Sequence, residues 1–488
     1  MSHPADRRGA REFAVAIAVA QACALVRYVV LARILGPAEL GWAVMIVLIG
    51  QFFDSVTDSG SDRFLIGDPQ GNEPEAQRFV QLMALVRGLL ISSTLLFLAV
   101  PIAQIMNAPS IVPGLHLLAL APLLSGLIHL DLRRVQRQHD FRIEGRATLL
   151  AEIVSLTVTA AAAFLTRSYL AIVFGLIARA MVLVLVSHAM AQRKFSIRPS
   201  RLFAKKLAVF GLPLMVNGLV LFFGSQGDRL IISNLLGAAE LGRYSAVMLL
   251  IFYPIMVSQR YVAGLYLPQL VRANPSRTQA AGELGGLVVV IASAAVVSFG
   301  VLAPFIVPIL FGSRFRLDFE IVALIGVLNA ARFMKVWPIN VLLADGRSHG
   351  VLITNVVRLV AIPLTIAAIR WEHSLLAILM AFTIGELISM AVGIYLASKA
   401  LPGSTRIFGV RMLLFLAVSV VLLVGSVSAQ VHSVVSGAFA ALIMAALHAV
   451  LWTRERPAVH TLIGALPLER LYRRKPSLTY PVSSDALS

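Results

Sequence analysis

The stretch "RILGPAELGWAVM" at residues 33–45 returns later in the chain as "NLLGAAELGRYSAVM" at residues 234–248. The two copies share the pattern Leu-Gly-x-Ala-Glu-Leu-Gly and lie 201 residues apart, measured from Gly36 to Gly237. Each copy stands in a short turn between two long apolar runs, so position and spacing agree as well as the letters. The repeat predicts that two halves of the chain have the same fold and the same topology.

Composition places this duplicated fold in a membrane. Of the 488 residues, 58% are hydrophobic and 14% charged, and the mean hydropathy is +0.85. A soluble domain cannot carry so much apolar surface, and the continuous apolar runs disfavour a β-barrel, so we expect an all-α polytopic membrane protein. Runs of roughly 20 apolar residues predict about fourteen transmembrane helices, near 12–34, 40–66, 79–103, 111–131, 147–165, 169–190, 207–235, 241–270, 283–311, 319–343, 351–369, 374–398, 412–429 and 434–453.

The repeat groups these spans into domains. Residues 1–206 form an N-terminal lobe with spans 1–6, and residues 207–400 form a C-terminal lobe with spans 7–12. Residues 401–453 add two spans outside the duplication, and residues 454–488 form a basic tail. Parallel repeats of this kind are related by an axis along the membrane normal, with a substrate cavity between them. The N-terminus also mimics a signal peptide, but its apolar run continues through Arg27, which favours a retained first span.

The distribution of positive charge predicts the orientation. Basic residues concentrate in alternate loops and in the C-terminal tail, which places both termini in the cytoplasm. This asymmetry accounts for most of the net charge of +18 without any nucleic acid, and a basic inner rim suits anionic lipid headgroups. The inner loops carry Arg133, Arg134, Arg137, Arg142, Arg146, Arg193, Lys194, Arg198, Arg201, Lys205 and Lys206, and the outer loops only Arg167, Arg314, Arg316 and Arg370.

The repeat region also carries a family resemblance. The segment "LARILGPAELGWAVM" at 31–45, followed by "DSGSDRFLI" at 58–66 and the basic loop "LRRVQRQHDFRIEGR" at 132–146, resembles bacterial polysaccharide flippases. These are the Wzx-like flippases of O-antigen and exopolysaccharide repeat units, in the multidrug/oligosaccharidyl-lipid/polysaccharide exporter superfamily. The resemblance implies a V-shaped pair of six-helix lobes and alternating access. It also implies translocation of an undecaprenyl-diphosphate-linked oligosaccharide across the bacterial inner membrane for surface polysaccharide biosynthesis.

Charged residues inside the spans supply the candidate site. Burying a charge at the bilayer centre costs roughly 2.5–3.5 kcal/mol, so such residues need a partner or a hydrated cavity. Basic groups outnumber carboxylates here, and an unpaired cationic surplus suits a diphosphate, which Arg binds bidentately. The predicted substrate-binding cations are Arg27, Arg229, Arg260, Arg332 and Lys335, each with structural pairing as the alternative. The carboxylates predicted to pair or to take part in ion coupling are Asp54, Asp58 and Asp228.

Three aspartates in span 2 are expected to lie at different depths. Asp62 is about four residues, or roughly 6 Å, from the inner end of the span, and is interpreted as a residue of the cytoplasmic mouth. Asp58 and Arg87 lie at equal depth on consecutive spans, which predicts a structural ion pair. Asp54 is deeper, at roughly 18 Å, and has no evident partner on an adjacent span.

Prolines interrupt several apolar runs, mainly in the second lobe. A proline inside a helix removes a hydrogen bond and kinks the helix. Such kinks could act as hinges for gating, but they are also common in static membrane helices. The residues are Pro213, Pro254, Pro268, Pro304, Pro308, Pro338 and Pro363.

Two other functions are alternatives to the translocation of a lipid-linked glycan. A cation or drug antiporter on the same scaffold would use Asp54, Asp58 and Asp228, but the basic surplus argues against it. A membrane-embedded enzyme would need catalytic residues on a sizeable outer loop, and no catalytic motif is evident. Cys23 is the one cysteine, which excludes a disulfide framework and a cysteine-based metal site. No cofactor or metal is expected. A coupling proton or sodium ion, or passive exchange, both stay open, and other polysaccharide-assembly proteins are candidate partners.

Overall fold

The computed structural model describes residues 4–137, 142–271 and 276–402. Within these ranges the regular structure consists of helices, without any strand. The first lobe is built from α1 (Pro4–Leu35), α2 (Pro37–Thr57), α3 (Ser61–Gly67), α4 (Pro74–Phe97), α5 (Ala99–Ile105), α6 (Val112–Leu118), α7 (Leu120–Gly126), α8 (Asp131–Arg137), α9 (Arg142–Thr166) and α10 (Leu170–Ala189).

The second lobe repeats the arrangement with longer helices at its start. It is built from α11 (Arg201–Leu235), α12 (Gly237–Leu270), α13 (Ser276–Leu310), α14 (Phe319–Met334), α15 (Val336–Ala344), α16 (Ser348–Arg358), α17 (Ala361–Ile369) and α18 (Leu375–Ala400).

The membrane-spanning segments agree with the prediction as far as residue 402. In the described part of the chain, eleven segments are long and apolar enough to cross a membrane. They coincide with predicted spans 1–9, 11 and 12. The tenth predicted span is divided into α14 and α15, so neither piece reaches the length of a span. Predicted spans 13 and 14 and the basic tail lie outside the described residues, and the total of fourteen stays a prediction.

Two of the predicted prolines explain where helices break. A proline cannot donate a hydrogen bond to the carbonyl four residues earlier. Accordingly α14 ends at Met334, four residues before Pro338, and α16 ends at Arg358, shortly before Pro363. The other five prolines lie inside continuous long helices, and their gating role stays a prediction. They are Pro213, Pro254, Pro268, Pro304 and Pro308.

Predicted span 2 is not one continuous helix. Helix α2 ends at Thr57, and the chain turns through Gly60, which has a left-handed φ of 64°, before α3 begins. Asp58 stabilises this turn because its Oδ1 atom accepts a hydrogen bond of 2.9 Å from the backbone N–H of Gly60. The prediction of an unbroken helix over 40–66 was wrong because the side chain of Asp58 competes with the helical hydrogen-bond pattern.

The repeated turns bring the two lobes into contact. Gly36 and Gly237 occupy the same left-handed region, with φ of 86° and 84°. After these turns α2 and α12 cross so closely that a Cβ atom on Gly41 would lie 1.8 Å from the carbonyl oxygen of Ala238. Reciprocally, a Cβ atom on Gly242 would lie 2.0 Å from the carbonyl oxygen of Pro37. The repeated glycines therefore form a two-fold-like backbone contact between the lobes.

Substituting Gly41 by alanine tests this contact. The added methyl group cannot fit without separating α2 from α12, so Gly41→Ala should destabilise the protein by about 1–3 kcal/mol. The measurement is the thermal unfolding midpoint of the purified protein in detergent. Gly264→Ala on α12 is the matched control, because a Cβ atom there meets open space. Equal midpoints for the two variants would contradict a tight contact at Gly41.

Candidate functional site

A buried ion triad lies inside the first lobe and begins at Arg27. The Nη1 atom of Arg27 on α1 donates hydrogen bonds to Glu152 Oε2 at 3.1 Å and to Ser155 Oγ at 2.6 Å. On the other side of the carboxylate, Arg179 Nε donates to Glu152 Oε1 at 2.5 Å. One carboxylate thus faces two guanidinium groups, so the triad retains a net positive charge within the span region.

Arg229 of α11 lies on the second-lobe side of the same region. Its Nη1 atom donates a hydrogen bond of 2.7 Å to Gln226, a neutral partner one turn earlier. Among the described residues its guanidinium forms no ion pair, and its Nε atom is buried without a hydrogen-bond partner. Within the described part of the chain, this guanidinium therefore has no carboxylate within ion-pair distance, although its backbone N–H is hydrogen-bonded to Asp228.

Two tyrosines lie close enough to Arg229 and to the triad of the first lobe to interact electrostatically with both. Tyr28 on α1 and Tyr253 on α12 each interact with Arg27, Arg229 and Glu152. Both lobes therefore contribute charged and aromatic groups to one central region, from helices at equivalent places in the repeat.

A small cavity marks the centre of this region. Its volume is about 30 Å³, which leaves room for about two water molecules. The lining side chains come from α1, α2, α11 and α12, and its polar members are Tyr28, Gln51, Arg229 and Ser245. A ligand pocket is typically 300–1,000 Å³, so this cavity is too small for a ligand of that size.

Arg260 is the second uncompensated cation. It lies on α12, its side chain is exposed, and no ion pair involves it in the described ranges. Among the predicted substrate-binding residues, Arg229 and Arg260 are thus the two whose charges are available to a ligand. Arg27 shares its charge with Glu152 but keeps a buried Nε atom without a partner.

Arg332 and Lys335 have a different environment from the one expected. Both are buried within the second lobe and neutralised there: Arg332 Nε lies 3.1 Å from Glu386 Oε1, and Lys335 Nζ lies 2.6 Å from Glu386 Oε2. Arg358 also pairs with Glu386. One nearly inaccessible carboxylate therefore gathers three cations from α14, the α14–α15 junction and α16, an arrangement suited to holding helices together.

Asp228 belongs to the same buried cluster. Its Oδ2 atom accepts hydrogen bonds from Tyr244 Oη at 2.7 Å and from Arg332 Nη2 at 3.1 Å. Its Oδ1 atom accepts one from the backbone N–H of Arg229 at 2.9 Å. Both carboxylate oxygens therefore already accept hydrogen bonds, and a role of Asp228 in ion coupling stays a prediction.

The aspartates of span 2 pair differently from the prediction. Arg87 Nη2 binds Asp54 Oδ1 at 3.0 Å, while its Nε atom donates to Thr57 Oγ1 at 2.8 Å. Asp58 is instead turned toward Gly60 and pairs with Arg63 at 3.3 Å. The predicted Asp58–Arg87 pair was wrong, because the helix break redirects Asp58 and leaves Asp54 facing Arg87.

Asp54 and Arg87 line a polar pocket of about 330 Å³ in the first lobe. The lining also includes Arg179, which binds Glu152 and so connects the pocket with the central region. At its other end Arg133 pairs with Asp62 at 2.8 Å. This ion pair gives Asp62 a partner on α8, and its place in the cytoplasmic mouth stays a prediction.

Outside the spans, Asp131 fixes the start of α8. Burial would raise the pKa of Asp131, but hydrogen bonds from the Arg134 guanidinium and the Gln192 backbone N–H hold that pKa below its usual value. The carboxylate therefore stays ionised and ties α8 to the segment after α10.

The family of the chain is shown by its sequence. Residues 30–317 match the family described as polysaccharide biosynthesis protein. The chain belongs to this family. The matched range contains both repeated turns, Glu152 and Arg179 of the first-lobe triad, Asp228, Arg229 and Arg260, whereas Arg27 lies just before it.

A curated relative and solved structures agree with this membership. The chain is 24% identical over 305 residues to the succinoglycan biosynthesis transport protein ExoT of Rhizobium meliloti (strain 1021), and the match spans 61% of each protein. Its fold is similar to the lipid II flippase MurJ in an inward closed conformation, with a TM-score of 0.68, 13% identity, and coverage of 92% of this chain and 98% of that one.

The fold is also similar to that of a second solved structure. It is an inward-facing multidrug resistance transporter of the MATE family and the MOP superfamily, with a TM-score of 0.60, 13% identity, and coverage of 81% of this chain and 99% of that one. The similarity of fold agrees with the expected resemblance, and an all-α architecture of many long apolar helices is confirmed within the described residues. The relatives are transporters and flippases rather than enzymes.

Several polar residues of the site carried little signal in the sequence. Tyr28, Gln51 and Tyr253 are neutral and lie in apolar runs, where a single polar residue is unremarkable. The adjacency of Tyr28 to Arg27 and the equivalence of the four lining helices in the repeat were the signals available. Ser155 and Glu152 lie three apart on α9, a spacing that places them on one helical face.

Removing the shared carboxylate tests the triad. Glu152→Gln would leave the buried Arg27 and the half-buried Arg179 without an anionic partner, so we expect a loss of about 3 kcal/mol of stability. The check is the unfolding midpoint of purified protein in one detergent. Glu372→Gln, at an exposed site, should leave the midpoint unchanged, and an equally small effect of Glu152→Gln would argue against a buried triad.

Proposed function

We propose that this protein translocates an anionic lipid-linked oligosaccharide of the undecaprenyl-diphosphate type across the bacterial inner membrane, for surface polysaccharide biosynthesis. The observation that carries the proposal is the pair of uncompensated guanidinium groups, Arg229 and Arg260, on the two helices that open the second lobe. Membership of the polysaccharide biosynthesis family supports a glycan as the cargo.

The chemistry of these arginines favours a diphosphate. Eight basic residues lie well inside the predicted spans, away from the span ends, and six of these form ion pairs with a shared set of four carboxylates. The two left over, Arg229 and Arg260, retain charge in a region where each charge costs free energy. A diphosphate supplies two adjacent groups that guanidinium binds bidentately, which offsets this cost when the substrate is present.

Alternating access supplies the mechanism of transport. The central cavity of about 30 Å³ cannot hold a glycan, so α1 and α2 must move away from α11 and α12 before substrate enters. The lobes would separate on the cytoplasmic side to admit the diphosphate and then on the outer side to release it. Both termini are proposed to be cytoplasmic, and enzymes of glycan assembly are proposed as partners on either side.

Replacing the two arginines tests the proposal directly. Arg229→Ala and Arg260→Ala should each reduce surface glycan by about tenfold or more, the loss expected for one charged hydrogen bond. Lipid-linked precursor should accumulate in the cell, while immunoblots show unchanged protein. Lysine at either position should restore export only partly, since it keeps the charge but not the bidentate geometry.

The controls separate this role from general charge effects. Arg370→Ala removes an exposed arginine at the end of α17 and should leave export intact. Arg27→Ala is expected to impair export less specifically, because the residue also holds Glu152. Normal surface glycan in the Arg27, Arg229 and Arg260 variants would overturn the proposed site.

Ion coupling would act at Asp54 rather than at the other two candidate carboxylates. The Asp54 side chain is 73% exposed and lines the polar pocket of the first lobe, whereas Asp228 is buried and Asp58 is tied into its turn. The cation or drug antiporter, the competing function, would use this same carboxylate.

Vesicle flux under an imposed gradient tests coupling. If a proton or sodium ion drives transport through Asp54, a pH or sodium gradient should accelerate flux in the unchanged protein, and Asp54→Asn should abolish that acceleration. Asp318→Asn, an exposed site, is the control. Flux that ignores both gradients would identify passive exchange, and uptake of a cationic drug without glycan flux would favour the antiporter.

A further inference from the structure

A second pocket lies at the expected cytoplasmic boundary of the membrane, between α3 and the beginning of α11. Its volume is about 850 Å³. It shares no lining residue with the central cavity or with the polar pocket of the first lobe. The lining consists of Arg63, Phe64, Gly67, Asp68 and Pro69 on one side and Arg201, Leu202, Lys205, Lys206, Val209 and Phe210 on the other.

The pocket is strongly cationic at its rim, which is formed at the beginning of α11. Four basic side chains line it, against the single carboxylate of Asp68. That carboxylate is already used, since its Oδ1 atom accepts a hydrogen bond of 2.8 Å from the backbone N–H of Gln70. Within the described ranges, Arg201 and Lys205 form no ion pair, and both are exposed. The rim therefore presents charges that only an external anion can compensate.

Further along α11, toward Val209, the lining of the pocket becomes apolar. Arg201, Lys205 and Val209 follow one another at intervals of four residues, so they form one ridge of α11 that changes from cationic to hydrophobic along the helix. Val209 is 73% exposed, and Phe210 beside it is 42% exposed. A helix of 35 residues is about 52 Å long, so its first turns extend beyond the hydrocarbon core and into the headgroup layer.

We propose that this pocket binds an anionic glycerophospholipid of the cytoplasmic leaflet, with the phosphate at Arg201 and Lys205 and an acyl chain along Val209 and Phe210. The combination of unpaired cations above an exposed apolar surface matches the two parts of such a lipid. A zwitterionic lipid would leave the rim uncompensated. A soluble anion would leave the apolar surface uncovered.

The pocket lies next to the break in span 2, so a lipid bound there is close to that break. Phe210 contacts the break and the helix that follows it: its ring is 6.1 Å from the ring of Phe64 on α3, and it lies against Gly60, where a Cβ atom would be 3.0 Å from its ring. A lipid chain packed on Phe210 therefore stabilises α3 in its present position against α11. The lipid acts as a structural ligand of the inner end of the interface between the lobes.

Lipid binding by the purified full chain tests this inference. The delipidated protein is titrated with phosphatidylglycerol or phosphatidylcholine at one ionic strength, and bound lipid is counted by native mass spectrometry. We expect phosphatidylglycerol to bind more tightly than phosphatidylcholine. The double variant R201Q/K205Q should weaken phosphatidylglycerol binding about 10- to 30-fold, as expected for two basic residues near an anionic surface.

Two further variants separate the pocket from general surface charge. K194Q/R198Q removes two exposed charges from the same side of the protein and should leave binding unchanged. Val209→Trp fills the apolar part without removing charge and should weaken binding of both lipids. Equal losses in R201Q/K205Q and K194Q/R198Q, or no loss in R201Q/K205Q and Val209→Trp, would overturn the pocket.

A competition experiment identifies which class of lipid carries the phosphate that binds in this pocket. Undecaprenyl phosphate, as a probe for the transported class of lipid, should displace phosphatidylglycerol poorly from this pocket. Tighter binding of undecaprenyl phosphate than of phosphatidylglycerol, lost in R201Q/K205Q, would overturn the assignment and make the pocket an entry site for the substrate. Because this readout is binding and not glycan export, its outcome is independent of the proposed transport function.

Discussion

The contact between glycines and backbone carbonyls at the crossing of α2 and α12 is the constraint on which the arrangement of the lobes depends. Gly41 lies against Ala238 and Gly242 against Pro37, and neither glycine has room for a Cβ atom. Each glycine follows a left-handed turn at Gly36 or Gly237 that aims the helix into the crossing. One repeated sequence therefore sets both the turn and the interface, and the duplication itself makes the contact reciprocal.

Within this duplicated frame the buried charges are inverted between the lobes. The shift of 201 residues that superposes the turns also aligns Arg27 with Asp228. In the first lobe an arginine of α1 meets a glutamate of α9, whereas in the second an aspartate of α11 meets Arg332 of α14. Each lobe is thus held by internal ion pairs at the same level, but the signs are exchanged. Each cluster still contains more cations than carboxylates, and Arg229, next to Asp228, faces the centre without an ion pair.

The repeat, the spans and the family resemblance could be predicted because each is expressed in consecutive residues. Ion pairing could not be predicted equally well, because it depends on the direction of side chains from several helices. Equal depth suggested Asp58 as the partner of Arg87, but a hydrogen bond to Gly60 breaks the helix and brings Asp54 to Arg87 instead. Likewise, the spacing of Arg332 and Lys335 predicted one cationic face, while nothing in sequence placed Glu386 between them.

Helix α2 takes part in both ends of the interface, which explains how a small central cavity can belong to a transporter. Its outer half crosses α12 at Gly41, and its inner half lies on α11, where a Cβ atom on Gly218 would be 2.3 Å from the carbonyl oxygen of Ser55. Both close approaches are made by backbone against glycine, and Phe52 of α2 also packs edge-on against Phe222 of α11. The inner contact continues into the break at Asp58–Gly60, where a Cβ atom on Gly211 would lie 2.7 Å from the carbonyl oxygen of Ser59. The uncompensated charge of Arg229 lies between the two contacts, where opening either end would expose it to a different side of the membrane.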